Sequence, residues 1–138
     1  MKIVGIDADS RKIAIVCFNN SKLLCHELLI SHSKDSKQRL YDLIMLFEKQ
    51  IKVVKPKVVY IEEAIFIQNF RTSRAISEVI GNIKVVLSRC GIDYVTVPVN
   101  TWKKMIIGKG NASKDEVKSF ILKQYSDLYG CEQDIFDA

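Results

Sequence analysis

The sequence predicts an α/β domain built on a mixed five-stranded sheet, in which a three-stranded antiparallel meander is followed by two parallel strands and helices flank the sheet. Three observations favour this class. β-rich apolar runs come first, apolar residues then switch to helical spacing, and strands alternate with helices from there on. With 138 residues, 48% of them apolar, and no internal repeat or linker, we expect a single domain over residues 1–138.

The first part of the chain supplies the meander and one helix. Strands are predicted at Lys2–Ala8, Lys12–Phe18 and Leu23–Ile30. The polar residues 19–21 predict a hairpin turn between the second and third strands. A helix is expected from Ser36 to about Val54, because apolar residues recur at helical spacing until Pro56 stops them.

The second part alternates strands and helices. We expect strands at Val58–Glu62 and Tyr94–Val99, and helices at Ser73–Arg89, Trp102–Ile107 and Ser113–Tyr129. Gly91 is placed to end the first of these helices. Ser113 and Glu116 have the spacing of a capping box and predict the start of the last one.

Composition narrows the functional classes. The net charge of +5 and the pI near 9 suit a polyanionic partner, although the basic residues are spread over the whole chain. No apolar run approaches a membrane span and the N-terminus does not read as a signal peptide, so we expect an intracellular protein without membrane contact. The four cysteines lack zinc spacing and are expected to be buried apolar residues.

Carboxylates at strand ends carry the chemical prediction. Asp7 closes one apolar run and Glu62 closes another, so they would lie side by side if the two strands pair. Asp134 and Asp137 are spaced to share one helix face. Clustered carboxylates suit hard divalent cations such as Mg²⁺, and two such ions form a clamp for attack on a phosphodiester.

Motifs in a fixed order point to a known family. They are GIDADS at 5–10, YIEEAIFIQN at 60–69, VNTWKKMIIGKGNASKDEV at 99–117 and QDIFDA at 133–138. In order and spacing they resemble the RuvC family of Holliday-junction resolvases, whose fold is RNase H-like, and the resemblance spans essentially the whole chain.

The resemblance implies a catalytic site. Its acidic metal ligands fall on Asp7, Glu62, Asp134 and Asp137, and its catalytic lysines on Lys103 and Lys114. Two Mg²⁺ ions, with Mn²⁺ as a substitute, would activate water and stabilise the attacked phosphate, leaving a 5′-phosphate and a 3′-hydroxyl. DNA contacts are expected at Phe66, Asn69, Phe70, Arg71, Arg74, Lys104 and Lys109. The loop 108–110 would approach DNA closely or serve as an ordinary turn, and Trp102 is a core or a base-stacking residue.

This chain departs from the family pattern in three places. The expected aromatic after the catalytic Glu is displaced by one residue, which leaves Phe66 or Phe70 as the wedge, or Glu63 as the ligand in place of Glu62. Asp9 stands where the family has glycine, and would tune the metal site or face water. The family continues past the DxxDA motif with an apolar helix, whereas this sequence stops at Ala138. Either the sequence is a truncated or incompletely represented product, or the acidic pair would lie on a frayed end with poor metal affinity.

The resemblance implies a homodimer that acts on four-way junctions and other branched DNA in the cytoplasm of a bacterial or phage-infected cell. The apolar stripe Ile76, Ile80, Ile83 and Leu87 would form the dimer interface or belong to the core. The departures suggest a divergent member, with a phage-encoded origin as one option. Two other functions stay open, namely a nuclease for RNA–DNA hybrids and a non-catalytic module that binds junctions.

Overall fold

A computed structural model describes residues 1–63 and 69–138. The described elements, in chain order, are β1 Lys2–Ala8, β2 Lys12–Asn19, β3 Lys22–Ile30, α1 Ser36–Val54, β4 Val58–Glu62, α2 Phe70–Arg89, β5 Asp93–Val97, α3 Val99–Ile107, α4 Lys114–Gln124, a 3₁₀ turn at Ser126–Leu128 and α5 Gln133–Asp137. The predicted wedge residue Phe66 lies outside the described residues, as does Ile65.

The sheet has the predicted topology. Its strand order is β3-β2-β1-β4-β5. β1, β2 and β3 pair antiparallel, whereas β4 runs parallel to both β1 and β5. The meander closes through Asn20 and Ser21, which both have positive φ angles of 48° and 68°, as a tight two-residue hairpin turn requires. The mixed five-stranded fold class is therefore confirmed.

Several element boundaries differ from the prediction by one to five residues, and three of them have a clear local reason. α2 begins at Phe70, because the Asn69 side chain caps it by accepting bonds from Arg71 N and Thr72 N. β5 ends at Val97, since Pro98 has no N–H for a strand ladder. α4 ends at Gln124, and Tyr125 instead packs its ring on Phe18 with centroids 5.4 Å apart.

A core layer covers each face of the sheet. On one face α1 and α2 cover Val4, Ile6, Val59 and Ile61, and we call this the helical layer. On the other face Ala14 and Val16 pack against Val117 of α4 and against Ile135 and Phe136 of α5; we call this the C-terminal layer. Successive strand residues alternate between the two layers, which fixes the direction of every side chain at the strand ends.

The structure decides one open alternative about buried residues and corrects one prediction. The α2 stripe belongs to the helical layer, because Ile80, Ile83 and Leu87 are buried there and Ile76 packs against them, so the stripe is unavailable as a dimer interface. Of the cysteines only Cys17 is buried, while the other three are partly or fully exposed, and all four are free thiols. Cys25 lies in the edge strand β3, within a run of exposed residues from Leu24 to Glu27 that neither core layer covers.

Within residues 1–63 and 69–138, no helix is long and apolar enough to cross a membrane.

Candidate active site

Paired parallel strands bring Asp7 and Glu62 to neighbouring positions. Ile6 of β1 pairs with Ile61 of β4, so the two acids follow at the next position of adjacent strands. Asp7 is also the register partner of Ala14, which is buried in the C-terminal layer. Because directly paired residues face the same side of a sheet, both acids point toward α5.

The short helix α5 carries the second pair of acids onto this face. Ile135 and Phe136 are each 4% exposed and anchor α5 in the C-terminal layer, which holds Asp134 and Asp137 over the strand ends. Gly5 makes the close approach of the helix end possible. A Cβ atom on Gly5 would lie 1.8 Å from the Ala138 carbonyl oxygen, so only glycine fits at this point. The predicted acidic pair is therefore packed against β1.

Burial and mutual repulsion show that the four acids share one electrostatic environment. Burial, followed by the charges of Glu62, Asp137, Asp134 and Asp9, raises the pKa of Asp7 to about 7. Burial also raises the pKa of Glu62 and that of Asp137, and a neighbouring carboxylate adds to both increases. Neighbouring carboxylates with raised pKa values, as at Asp7, Glu62 and Asp137, are typical of a functional site that can bind a cation.

Protein donors engage three of these carboxylates. Trp102 Nε1 donates to Glu62 Oε2 at 2.8 Å, and Gln133 Nε2 donates to Asp137 Oδ1 at 3.3 Å. Lys12 Nζ lies 2.6 Å from Asp134 Oδ2. In the described part of the chain, no group of three or more acid, histidine or cysteine side chains is arranged to hold a metal ion as it stands.

The residues nevertheless fit a hard divalent cation. All four donors are carboxylates, the oxygen ligands that Mg²⁺ and Mn²⁺ prefer. The raised pKa of Asp7 shows that a positive charge placed here would relieve desolvated negative charge. A metal ion bound by Glu62, Asp134 and Asp137 would replace their present donors, which are Trp102, Lys12 and Gln133 respectively.

The two predicted lysines lie beside the acids. Lys103 Nζ donates to the Ala112 carbonyl oxygen at 3.0 Å and lies 5.7 Å from the Trp102 ring centre. Its charge lowers the pKa values of Glu62 and Asp137, in opposition to burial. Lys114, the first residue of α4, is exposed, and its charge opposes the increase that burial causes in the pKa of Asp137. A polyanion reaching the acids would therefore meet two ammonium groups.

Comparison with known proteins identifies the family. The family model described as "Crossover junction endodeoxyribonuclease RuvC" matches residues 3–137. The chain belongs to the RuvC family. The RuvC protein of Rickettsia prowazekii (strain Madrid E) is 31% identical over 122 residues, which cover 85% of this chain and 78% of that protein.

Solved structures of low sequence identity share the RuvC fold. The Thermus thermophilus RuvC in complex with a Holliday junction substrate superposes with a TM-score of 0.85 at 17% identity, covering 99% of this chain and 87% of that one. The yeast mitochondrial Holliday junction resolvase Ydc2 gives a TM-score of 0.68 at 14% identity, covering 98% and 73%. The RNase H-like fold expected from the motifs is confirmed.

The residues predicted to contact DNA in this RuvC-family chain occupy different local settings. Phe70 is 71% exposed at the start of α2, which leaves its ring free to meet a partner. Arg71 and Lys104 are exposed as well. Arg74 pairs with Glu78 at 3.6 Å, and Lys109 pairs with Glu116 at 3.0 Å. Asn69 caps α2, as described above, so its side chain has a structural role.

The positions of Glu63, Asp9 and Gly108 bear on alternatives that the sequence left open. Glu63 is exposed and comes one residue after β4, which favours Glu62 as the acid that shares the site with Asp7. Asp9 Oδ1 accepts from Arg11 N at 2.7 Å and Lys12 N at 2.8 Å in the β1–β2 turn. Its charge also adds, after burial and the other three acids, to the raised pKa of Asp7, which favours the alternative that Asp9 tunes the site. Gly108 has a φ of +87° and ends α3, which is a turn role.

Sequence reasoning missed the side chains that donate to the acids, two of which come from distant parts of the chain. Trp102 is partly buried in the C-terminal layer, as the core interpretation expected, and also donates to Glu62 across 40 positions of sequence. Lys12 contacts Asp134 across 122 positions. No local pattern predicts contacts of such separation. The one available signal for Lys12 was its position two residues before Ala14, on the strand face that α5 covers.

Proposed function

We propose that this chain is a metal-dependent endonuclease that resolves Holliday junctions, and other branched DNA, by paired hydrolysis of phosphodiester bonds. The products would carry 5′-phosphate and 3′-hydroxyl ends. One observation carries the proposal: Asp7 and Glu62 end adjacent parallel strands under an acidic helix, and lysines border them, in a chain that belongs to the RuvC family.

Asp7, Glu62, Asp134 and Asp137 would hold the divalent metal, which we propose to be two Mg²⁺ ions with Mn²⁺ as a substitute. When bound, the metal would supply Lewis acidity and an activated water at neutral pH. Asp7 must be ionised to bind it. Because the pKa of Asp7 is about 7 in the metal-free protein, metal binding should strengthen as the pH rises through neutrality.

The lysines have separate tasks in this proposal. Lys103 is fixed by the Ala112 carbonyl and by its position beside Trp102, so its ammonium is a preorganised contact for the scissile phosphate. Lys114 is exposed and can move to the phosphate once DNA is bound. Both also offset the repulsion between the carboxylates and the approaching polyanion.

DNA outside the cleavage point would be held by the surface around α2, α3 and α4. Phe70 would stack on a base that the crossover has unstacked, because its ring is exposed at the first residue of α2. Arg71, Arg74, Lys104 and Lys109 would contact phosphates. For Arg74 and Lys109 this requires exchange of their present carboxylate partners for DNA.

A homodimer follows from the proposed substrate. A four-way junction needs paired cuts in strands of like polarity, and a two-fold dimer presents equivalent sites to equivalent strands. Since the apolar stripe of α2 is core, the contact between protomers must use other exposed residues. Light scattering should give twice the chain mass of 15.8 kDa. We place this activity in the cytoplasm of a bacterial or phage-infected cell.

The decisive experiment incubates the protein with labelled four-way junction, fork, RNA–DNA hybrid and linear duplex, with Mg²⁺ or with EDTA. Symmetric nicking of the junction in Mg²⁺ alone is the expected result. Cleavage of the hybrid with no effect on the junction would replace the proposal by the hybrid-nuclease function. Tight junction binding without nicking would leave a binding module.

Asp7→Asn is the matched variant. It should abolish cleavage and leave junction binding unchanged or stronger, because it removes a ligand and a negative charge that faces phosphate. Loss of junction binding together with cleavage would instead mean that Asp7 supports the fold.

A further inference from the structure

The ammonium group of Lys12 contacts one of the four acids of the site. Lys12 Nζ lies 2.6 Å from Asp134 Oδ2, which is the distance of a short charge-assisted hydrogen bond. The Lys12 side chain is 36% exposed and that of Asp134 is 28% exposed, so water screens the pair less than it would on the open surface. The contact joins β2 to α5, the element that carries half of the proposed metal ligands.

The fold builds this contact through the β1–β2 turn. Asp9 Oδ1 accepts from the Lys12 backbone N–H at 2.8 Å, and Asp9 N donates to the Lys12 carbonyl oxygen at 2.9 Å. These bonds fix the first residue of β2. Ala14, two positions further on, is buried against α5, so strand alternation turns the Lys12 side chain toward the same helix.

The ammonium and a metal ion need the same oxygen atoms. Asp134 has two carboxylate oxygens, and Lys12 occupies one of them. A divalent ion bound near Asp134 would also be repelled by the positive charge a few ångströms away, in a site of reduced dielectric. Both effects act in the same direction and weaken metal binding at this end of the acidic group.

We propose that Lys12 is an internal counter-ion that competes with divalent metal for Asp134, so that metal binds there only when the lysine is displaced. This inference rests on the proposed metal site. It makes Lys12 a residue that sets the metal affinity, and it places a protein cation where the clustered acids would otherwise repel one another.

Metal binding without DNA tests the inference. Titration of the 138-residue chain with Mn²⁺, with free ion measured by electron paramagnetic resonance, gives affinity and stoichiometry independently of cleavage. Lys12→Met keeps an unbranched side chain of similar length and removes the charge. It should bind Mn²⁺ about three- to tenfold more tightly than the parent, as expected for release of one partly buried ion pair.

Two further variants make the result specific. Lys12→Arg keeps the charge and should bind Mn²⁺ no more tightly than the parent. Lys22→Met removes an exposed strand lysine of β3 and should leave the affinity within about twofold, which controls for the change in net charge. Circular dichroism of each variant confirms that it has folded.

The outcomes separate this inference from the proposed function. Unchanged or weaker Mn²⁺ binding by folded Lys12→Met overturns the competition, because the lysine would then support Asp134 as a ligand. Asp7→Asn serves as the reference for the site itself. If Asp7→Asn binds Mn²⁺ as well as the parent does, the metal site of the proposed function fails. If Asp7→Asn loses binding but Lys12→Met shows no gain, only the present inference fails.

Discussion

Replacement of Asp7 by Asn should stabilise the metal-free protein at alkaline pH. In the folded chain the pKa of Asp7 is raised from 3.8 to about 7, mainly by burial and then by Glu62 and Asp137. An acid whose pKa is raised by folding lowers stability as the pH increases from its unfolded value to its folded value. Asn has nearly the same shape and no charge to desolvate.

The magnitude follows from the two pKa values. At about 1.4 kcal/mol per pH unit, ionisation of Asp7 destabilises the folded state by up to about 4 kcal/mol above neutrality. Near pH 4 the folded acid is protonated and the unfolded acid is only about half ionised, so little of this penalty remains. Asp7→Asn should therefore gain up to about 4 kcal/mol at about pH 8 in EDTA and close to nothing at about pH 4.

Urea unfolding followed by circular dichroism measures this difference. Parent, Asp7→Asn and the exposed-strand control Asp93→Asn are compared at both pH values in EDTA, and then with excess Mg²⁺ at the higher pH. Mg²⁺ should stabilise the parent by mass action and leave Asp7→Asn unaffected. A variant that is less stable than the parent at about pH 8, or a gain of equal size at both pH values, would refute the electrostatic reasoning.

The remaining predictions concern the surroundings of the acids. Trp102→Phe keeps an aromatic ring but removes the donor that lowers the pKa of Glu62. The acidic limb of the pH–rate profile for junction cleavage should therefore move to higher pH. A uniform loss of rate without this displacement would indicate that Trp102 contributes packing alone. Gly5→Ala places a methyl group against the Ala138 backbone, and it should lower stability by about 1–3 kcal/mol and weaken Mn²⁺ binding. Gly81→Ala is the control, because it adds a methyl group in open space on α2 and should stabilise the fold by up to about 1 kcal/mol. Lys114→Ala should slow cleavage at least about tenfold while junction affinity changes by less than about threefold, and equal losses would make Lys114 a general phosphate contact.

The sheet was predictable because its signals are local. β4 was located at its observed boundaries from a short apolar run, and the turn at Asn20 and Ser21 from its polar composition. Boundaries failed where a single cap or ring contact decided them. The Asn69 cap starts α2 at Phe70, before the Ser73 that the apolar pattern predicted. α4 ends at Gln124, before the predicted Tyr129, where the Tyr125 ring packs on Phe18.

The α2 stripe shows a second limit of sequence reasoning. Apolar residues at helical spacing indicate that a helix buries one side. They do not indicate whether the sheet of the same chain or another protomer covers that side. Ile83 and Leu87 are fully buried by the sheet within the chain. Cysteine burial was misjudged for the same kind of reason, since exposure depends on which strand forms the edge of the sheet.

The sequence by itself determined the fold class, the family and the acids that end β1 and β4, because strand periodicity and motif spacing are written locally along the chain. Only the tertiary structure decided which side chains contact the acidic residues of the site. Lys12 and Trp102 reach Asp134 and Glu62 across long stretches of sequence. Their contacts exist because α3 and α5 pack on one face of the sheet, and packing of distant elements, unlike periodicity, leaves no pattern in neighbouring residues.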